Sequence, residues 1–113
     1  MTITTIAPAP RPLHPALIDT LARSIHASPM EVWWNLATSR DSKMRLKVAV
    51  TREVPAKIAR LLAIDPDPGV RRSLAANSGV PSSILAILAA DDESEVRAAA
   101  VSTLAGKGRE AAQ

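Results

Sequence analysis

The side chains best suited to acid–base chemistry are two histidines, His14 and His26. Neither has an acid or a hydroxyl residue at a spacing that is diagnostic of catalysis, and no metalloprotease, P-loop or nucleophile-elbow motif is found. The chain contains no cysteine, which excludes cysteine nucleophiles, thiolate metal sites and disulfides. His26 stands near the predicted end of a helix, where a positive charge is favourable. We therefore expect no catalytic residues, no cofactor and no enzymatic activity.

One acidic segment, from Asp65 to Gly69, begins like a calcium-binding loop. Such a loop has glycine at its sixth position and a bidentate glutamate at its twelfth. Here glycine comes one position early, and Ala76 stands where the glutamate would be. The acids from Asp91 to Glu95 precede a predicted helix, a position that favours helix capping over cation binding. We expect no metal site.

Three equally spaced prolines reveal an internal repeat. Pro29, Pro55 and Pro81 are separated by 26 residues (55 − 29 and 81 − 55). An acid followed four residues later by arginine has the same period, which gives the pairs Asp41 and Arg45, Asp67 and Arg71, and Glu93 and Arg97. Repeats of this length are typical of solenoids, in which each unit buries its apolar face against its neighbours. The sequence therefore predicts an all-α solenoid of short helix pairs.

Apolar spacing and turn residues predict seven short helices, at about 15–27, 29–38, 41–51, 55–64, 67–77, 81–90 and 93–105. The best-defined start is Ser28-Pro29-Met30-Glu31, which has the pattern of a capping box. Residues 1–12 are rich in proline and predict a flexible, extended arm. Residues 13–113 then form one domain, with a helical cap at 13–38 and repeats at 39–64, 65–90 and 91–113.

The segment from Leu62 to Pro81 resembles the leucine-rich repeat variant family. The resemblance is carried by Asp65-Pro-Asp67, Val70-Arg71, Asn77 and the closing proline, and it covers residues 39–104. It implies a right-handed superhelix of paired short helices, within the wider class of HEAT-like solenoids, that serves as a binding surface. This chain departs from the family because its repeat is slightly longer, because Val54 and Val80 replace a capping threonine, and because no cysteine cluster precedes the repeats.

The repeated arginines, Arg45, Arg71 and Arg97, form a row that could follow a phosphate backbone. The acid four residues before each arginine favours a structural ladder instead. In that ladder, acid and base pair within a repeat or across the stack. Loss of one arginine would then reduce stability before it reduced binding.

The charges that do not repeat are unevenly distributed. The middle of the chain has seven bases, Arg40, Lys43, Arg45, Lys47, Arg52, Lys57 and Arg60, against two acids between positions 40 and 60. The last repeat is acidic from Asp91 to Glu95. This polarity could be an ordinary solvated surface, or it could favour weak head-to-tail self-association. Nucleic-acid binding through Arg40, Lys43, Lys47, Arg52 and Lys57 is compatible with the net charge of +3.

Trp34 is the residue most suited to anchor a partner. Counted from each proline, the predicted core positions are three, six and seven residues on, and Trp34 lies five on, nearly opposite that stripe. Its counterparts are Arg60 and Ala86, which also predicts an exposed position. Alternatively, the terminal helix is rotated and Trp34 is covered, an arrangement that Asn35 at a predicted core position would support. Exposed tryptophans are frequent interface anchors.

We therefore expect a cytoplasmic, non-catalytic scaffold or adaptor that binds an unidentified protein through Trp34, Arg60 and the neighbouring bases. The longest apolar stretch, from Val80 to Ala90, is too short to span a bilayer, so no membrane contact is expected. The alternative is a nucleic-acid-binding solenoid. Salt separates the two, because phosphate contacts weaken steeply with ionic strength.

Overall fold

The computed structural model describes residues 10–111, and this part of the chain contains helices, turns and loops but no strand. The helices are α1 Pro15–Ser24, α2 Pro29–Ala37, α3 Ser42–Ala49, α4 Ala56–Leu62, α5 Pro68–Ala75, α6 Ser82–Leu88 and α7 Ser94–Ala111. The predicted all-α class is confirmed for these residues. Of the predicted proline-rich arm, residues 1–9 lie outside the described range.

The helices begin where the sequence provides caps. The capping box predicted before α2 is present: the Glu31 amide donates to Ser28 Oγ at 3.2 Å, and the Ser28 amide donates to Glu31 Oε2 at 3.0 Å. Asp41 and Asp67 cap α3 and α5 by accepting hydrogen bonds from backbone amides two residues further on. These bonds satisfy N–H groups that the first helical turn leaves free.

The helices pack in alternation as well as in sequence. Helices α3, α5 and α7 pack against one another in that order, while α2 packs against both α3 and α4. Helix α1 covers α2, and α6 lies on α7. The largest fully buried side chains between these helices are aliphatic: Ile58, Leu62, Leu74, Ile84, Leu85 and Leu88. Each contributes about 1.5–3 kcal/mol through its burial, so the core rests on aliphatic packing.

The predicted core stripe was wrong at one position. Six residues after each proline, Leu61 is only half-buried and Ile87 is 60% exposed. The buried residues instead lie three, four, seven and eight positions on, and position four holds Ala59 and Leu85, both fully buried. At 100° per residue, these four positions lie on one side of the helix and position six lies outside that side, so the predicted stripe was centred in the wrong direction.

The two ends of the described chain extend the helical core. Helix α7 continues to Ala111, six residues beyond its predicted end at 105, through Gly106 and Gly108. Before α1, the chain folds back onto the core, because the Leu13 amide donates to Thr51 Oγ1 at 2.9 Å. This hydrogen bond ties the residue that directly follows the proline-rich segment to the end of α3.

Candidate functional site

The two tryptophans of α2 have opposite environments. Trp33 is buried in the core, whereas Trp34 is 51% exposed. Adjacent residues of a helix point in directions about 100° apart, so burying Trp33 turns Trp34 outwards. Of the two arrangements that the sequence left open, the structure has the exposed one. Asn35 is also exposed, because its position is not part of the core.

An open groove of about 520 Å³ lies beside Trp34. Its lining combines Trp34 and Met30 from α2 with Lys57 from α4, and Ser28 and Glu31 at the start of α2 complete it. Met30 and Trp34 are four residues apart, so they lie on one face of the helix. The Glu31 carboxylate accepts the Ser28 amide and is already engaged there. The groove therefore offers an apolar surface with one lysine, which α4 contributes.

Arg60 adds a second cation to this face of α4. Lys57 and Arg60 are three residues apart on α4, and both are exposed. Neither forms an ion pair within residues 10–111, where the ion pairs are Arg45–Asp65, Arg71–Asp91 and Arg72–Glu95. The predicted contact residues Trp34 and Arg60 therefore both lie on the surface, and Lys57 shares a groove with Trp34.

The remaining predicted contact residues are distributed around α3. Lys43 and Lys47 are four residues apart on α3, Arg40 lies in the turn before it and Arg52 in the turn after it. All four are exposed. The groove at Trp34 includes Lys57 from this basic set but none of these four. The structure therefore gives a groove at α2 and α4 and a separate row of bases along α3.

Two of the three repeated arginines, Arg45 and Arg71, form ion pairs with a later acid and not with the acid four residues before them. Arg45 Nε donates to Asp65 Oδ2 at 2.8 Å, and Arg71 Nε donates to Asp91 Oδ2 at 2.8 Å. In both pairs the acid is 20 residues further along the chain. The expected acids Asp41 and Asp67 serve as helix caps instead. An aspartate that caps a helix uses its carboxylate to accept from backbone amides, so each arginine pairs with the aspartate 20 residues further on instead.

The third predicted pair, Glu93 and Arg97, also differs. Arg97 Nη1 donates to the carbonyl oxygens of Asp91 and Asp92, at 2.7 and 2.9 Å. No ion pair joins Arg97 to an acid of the described residues. Arg97 thus makes the same kind of backbone contact as Arg45 and Arg71, but it has no carboxylate partner among the described residues.

The charges of these pairs stabilise each other. The hydrogen bond to Asp91 raises the pKa of Arg71 despite partial burial, and the bond to Asp65 does the same for the pKa of Arg45. Burial opposes ionisation of Asp91, but hydrogen bonds from Arg71 and from the Glu93 amide outweigh it, so the pKa of Asp91 lies below its ordinary value. These arginines are consequently committed to the fold.

Sequence reasoning missed a buried polar contact. Asn77 is buried and donates through Nδ2 to the carbonyl oxygens of Ala49 and Thr51. Thr103, 26 positions after Asn77, donates to the carbonyl of Ala75 at 2.6 Å. The available signal was the repeat itself, since a polar residue recurs at this position in each unit.

The described residues show no grouping suited to a cofactor or metal. Within residues 10–111, no group of three or more histidine, aspartate or glutamate side chains could hold a metal ion. None of the helices in this range has the length and hydrophobicity needed to cross a bilayer. The exposed chemistry that remains is the groove at Trp34 and the bases of α3.

Comparison with known proteins supplies no relative. No family model, no curated protein and no solved structure matches the chain. The function of the chain is therefore inferred from its own residues and their geometry.

Proposed function

We propose that this chain is a non-catalytic protein-interaction module that binds an unidentified protein partner through the groove at Trp34. The observation that carries the proposal is the half-exposed Trp34 beside Met30, in a groove that Lys57 of α4 also lines. A tryptophan held by a rigid helix buries a large area at little conformational cost when a partner covers it. Arg60, without an ion pair among the described residues, extends the contact surface with a positive charge.

We further propose that the fold is a right-handed solenoid with repeats of 26 residues, similar to the leucine-rich repeat variant and HEAT-like arrays. Two findings support it: the ion pairs of Arg45 and Arg71 have the same atoms and the same spacing, and alternate helices pack in order from α3 to α7. Such arrays act mainly through their extended surfaces. A cytoplasmic location is part of this proposal.

The alternative function is nucleic-acid binding, and one observation favours it. Arg40, Lys43, Lys47 and Arg52 are exposed and take no part in the ion pairs of the described residues. Free bases of this kind can neutralise phosphates. The groove argues for a protein partner, because an apolar surface gains more from apolar side chains than from a phosphate backbone.

The test is capture of partners from lysate with the wild-type chain, with Trp34→Ala and with a matched control, Ile64→Ala. Ile64 is 77% exposed, lies in the turn after α4 and does not line the groove. The proposal requires a partner that both wild type and Ile64→Ala retain, that Trp34→Ala loses, and that survives nuclease. Partners that disappear with nuclease or high salt, and that Trp34→Ala still binds, would support the nucleic-acid alternative.

A further inference from the structure

The three repeated arginines are held by the same backbone contact. Nη1 of Arg45 donates to the carbonyl of Ser39 at 2.8 Å, and Nη1 of Arg71 donates to that of Asp65 at 2.6 Å. Nη1 of Arg97 donates to the carbonyl of Asp91 at 2.7 Å. In all three cases the acceptor is six residues before the arginine. The Arg97 guanidinium is therefore fixed in the same manner as the other two.

The other edge of the guanidinium, formed by Nε and Nη2, has different hydrogen-bond partners in the three arginines. In Arg45 and Arg71, Nε and Nη2 donate together to the two oxygens of one aspartate. Within residues 10–111, Nε and Nη2 of Arg97 have no hydrogen-bond acceptor. Nε and Nη2 of an arginine can together donate to the two oxygens of one carboxylate. The pairs Arg45–Asp65 and Arg71–Asp91 show this arrangement twice in the molecule. The hydrogen bond of Nη1 already restricts the Arg97 side chain. Binding a carboxylate would therefore cost less conformational entropy than binding to a freely rotating arginine.

Neighbouring apolar positions are uncovered in the same way. Val101 on α7 is 56% exposed, whereas Ala75 and Ala49, at the equivalent positions 26 and 52 residues earlier, are fully buried. Ile87 on α6 is 60% exposed, whereas the equivalent Leu61 is half-buried. We call Ile87, Arg97 and Val101 the end face. All three positions are better covered one repeat earlier.

The acids near Arg97 do not prevent an aspartate from binding there. Asp92 and Glu93 also act electrostatically on Arg71, which nevertheless holds Asp91. At Arg71, two hydrogen bonds to one carboxylate, together with packing, therefore outweigh the electrostatic effect of the neighbouring acids. The same balance applies at Arg97, provided that the incoming carboxylate arrives with an apolar side chain that covers Val101.

We propose that the end face binds a helix of another protein whose C-terminal end is followed by an aspartate, seated on Arg97 as Asp91 is seated on Arg71. In the internal pair, Asp91 follows the apolar helix α6 and its Oδ1 also accepts the Glu93 amide. The partner thus presents an aliphatic helix end with its aspartate held by its own turn. This site is independent of the groove at Trp34.

The test uses the molecule's own ligand as the probe. A synthetic peptide with the sequence of residues 78–93 contains α6 and Asp91, and a control peptide carries Asp91→Asn. Both peptides are titrated into the full chain while the arginine Nε–Hε signals are followed by NMR, with Arg97 assigned from the spectrum of Arg97→Gln. The two peptides differ by one charge and by one acceptor oxygen, which asparagine replaces with an NH₂ donor, so they isolate the carboxylate without altering the protein.

The expected result is a saturable shift of the Arg97 signal, with the aspartate peptide binding about tenfold or more tightly than the asparagine peptide. Arg97→Gln should abolish that difference, while Trp34→Ala should leave it unchanged, which separates this site from the proposed function. Equal affinity for the two peptides overturns the proposal. A shift at Arg71 in place of Arg97 overturns it too, because the peptide would then have displaced the internal aspartate.

Discussion

The side chain of Asn77 donates through Nδ2 to the carbonyl oxygen of Thr51 at 2.8 Å, which joins the ends of α5 and α3. The same nitrogen donates to the carbonyl of Ala49 at 2.9 Å, and Oδ1 accepts the Gly79 amide at 2.9 Å. This buried amide therefore has a partner for each of its polar atoms. Buried groups of this kind cost little when satisfied and much when one partner is removed.

Replacing Asn77 with aspartate should lower the free energy of unfolding by about 2–4 kcal/mol, because a carboxylate would face the two carbonyl oxygens that the amide now binds. Urea unfolding at neutral pH measures the loss. Ser78→Ala, at the exposed neighbouring residue, is the matched control and should change stability by less than about 0.5 kcal/mol. Equal stability of Asn77→Asp and wild type would show that the amide contacts contribute nothing.

The repeat period predicts much of this architecture, because proline and capping residues mark each helix start locally. The box at Ser28 and the caps at Asp41 and Asp67 depend only on neighbouring residues, so they can be identified in the sequence. Pairing between repeats depends on how helices stack. Arg45 therefore meets Asp65 in space, although Asp41 is closer to it in sequence.

The same limit applies to the candidate site. Periodicity places Trp34 on the outer side of α2, and its exposure agrees with that position. The groove with Lys57 arises only when α4 packs on α2. The vacant edge of Arg97 likewise becomes visible only by comparison with its two filled counterparts.

The Arg71–Asp91 pair should make stability depend on pH in the acid range. The pKa of Asp91 is lower in the folded chain than its ordinary value, so its contribution is complete above the unfolded pKa of about 3.9 and is lost as pH falls through the folded pKa. Asp91→Asn should remove this pH-dependent component from the unfolding free energy. Unfolding measured from about pH 6 to pH 2 tests it. Asp92→Asn, at an exposed residue outside the ion pairs of the described residues, should retain the full slope.

Two glycines should respond oppositely to alanine. A Cβ atom at Gly79 would collide with the carbonyl oxygen of Arg52, so Gly79→Ala should destabilise the chain by more than about 2 kcal/mol. Gly108 lies inside α7 with open space around it, so Gly108→Ala should stabilise by about 0.5–1 kcal/mol through helix propensity. Thermal unfolding compares both with wild type. A loss of stability at Gly108→Ala would show that α7 is not helical there.

His26 follows the end of α1 with a left-handed φ of 54°. The Ala27 amide donates back to the carbonyl of Ala22 at 2.9 Å, the closing bond of a glycine-type helix end. His26→Gly should therefore stabilise the chain by about 1 kcal/mol, because glycine adopts this conformation without strain. His26→Ala is the control and should give no such gain, since it keeps the Cβ atom. If both variants gained stability equally, the imidazole and not the backbone would be the source of strain.

The adjacent tryptophans separate folding from binding. Trp33 packs in the core, so Trp33→Ala should cost about 3–5 kcal/mol of unfolding free energy. Trp34 is half-exposed, so Trp34→Ala should cost less than about 1 kcal/mol while removing the proposed contact. Urea unfolding of the two variants, beside partner capture by Trp34→Ala, distinguishes the roles. If Trp34→Ala unfolded the chain as readily as Trp33→Ala, its loss of binding would reflect loss of structure, and the groove would no longer carry the functional argument.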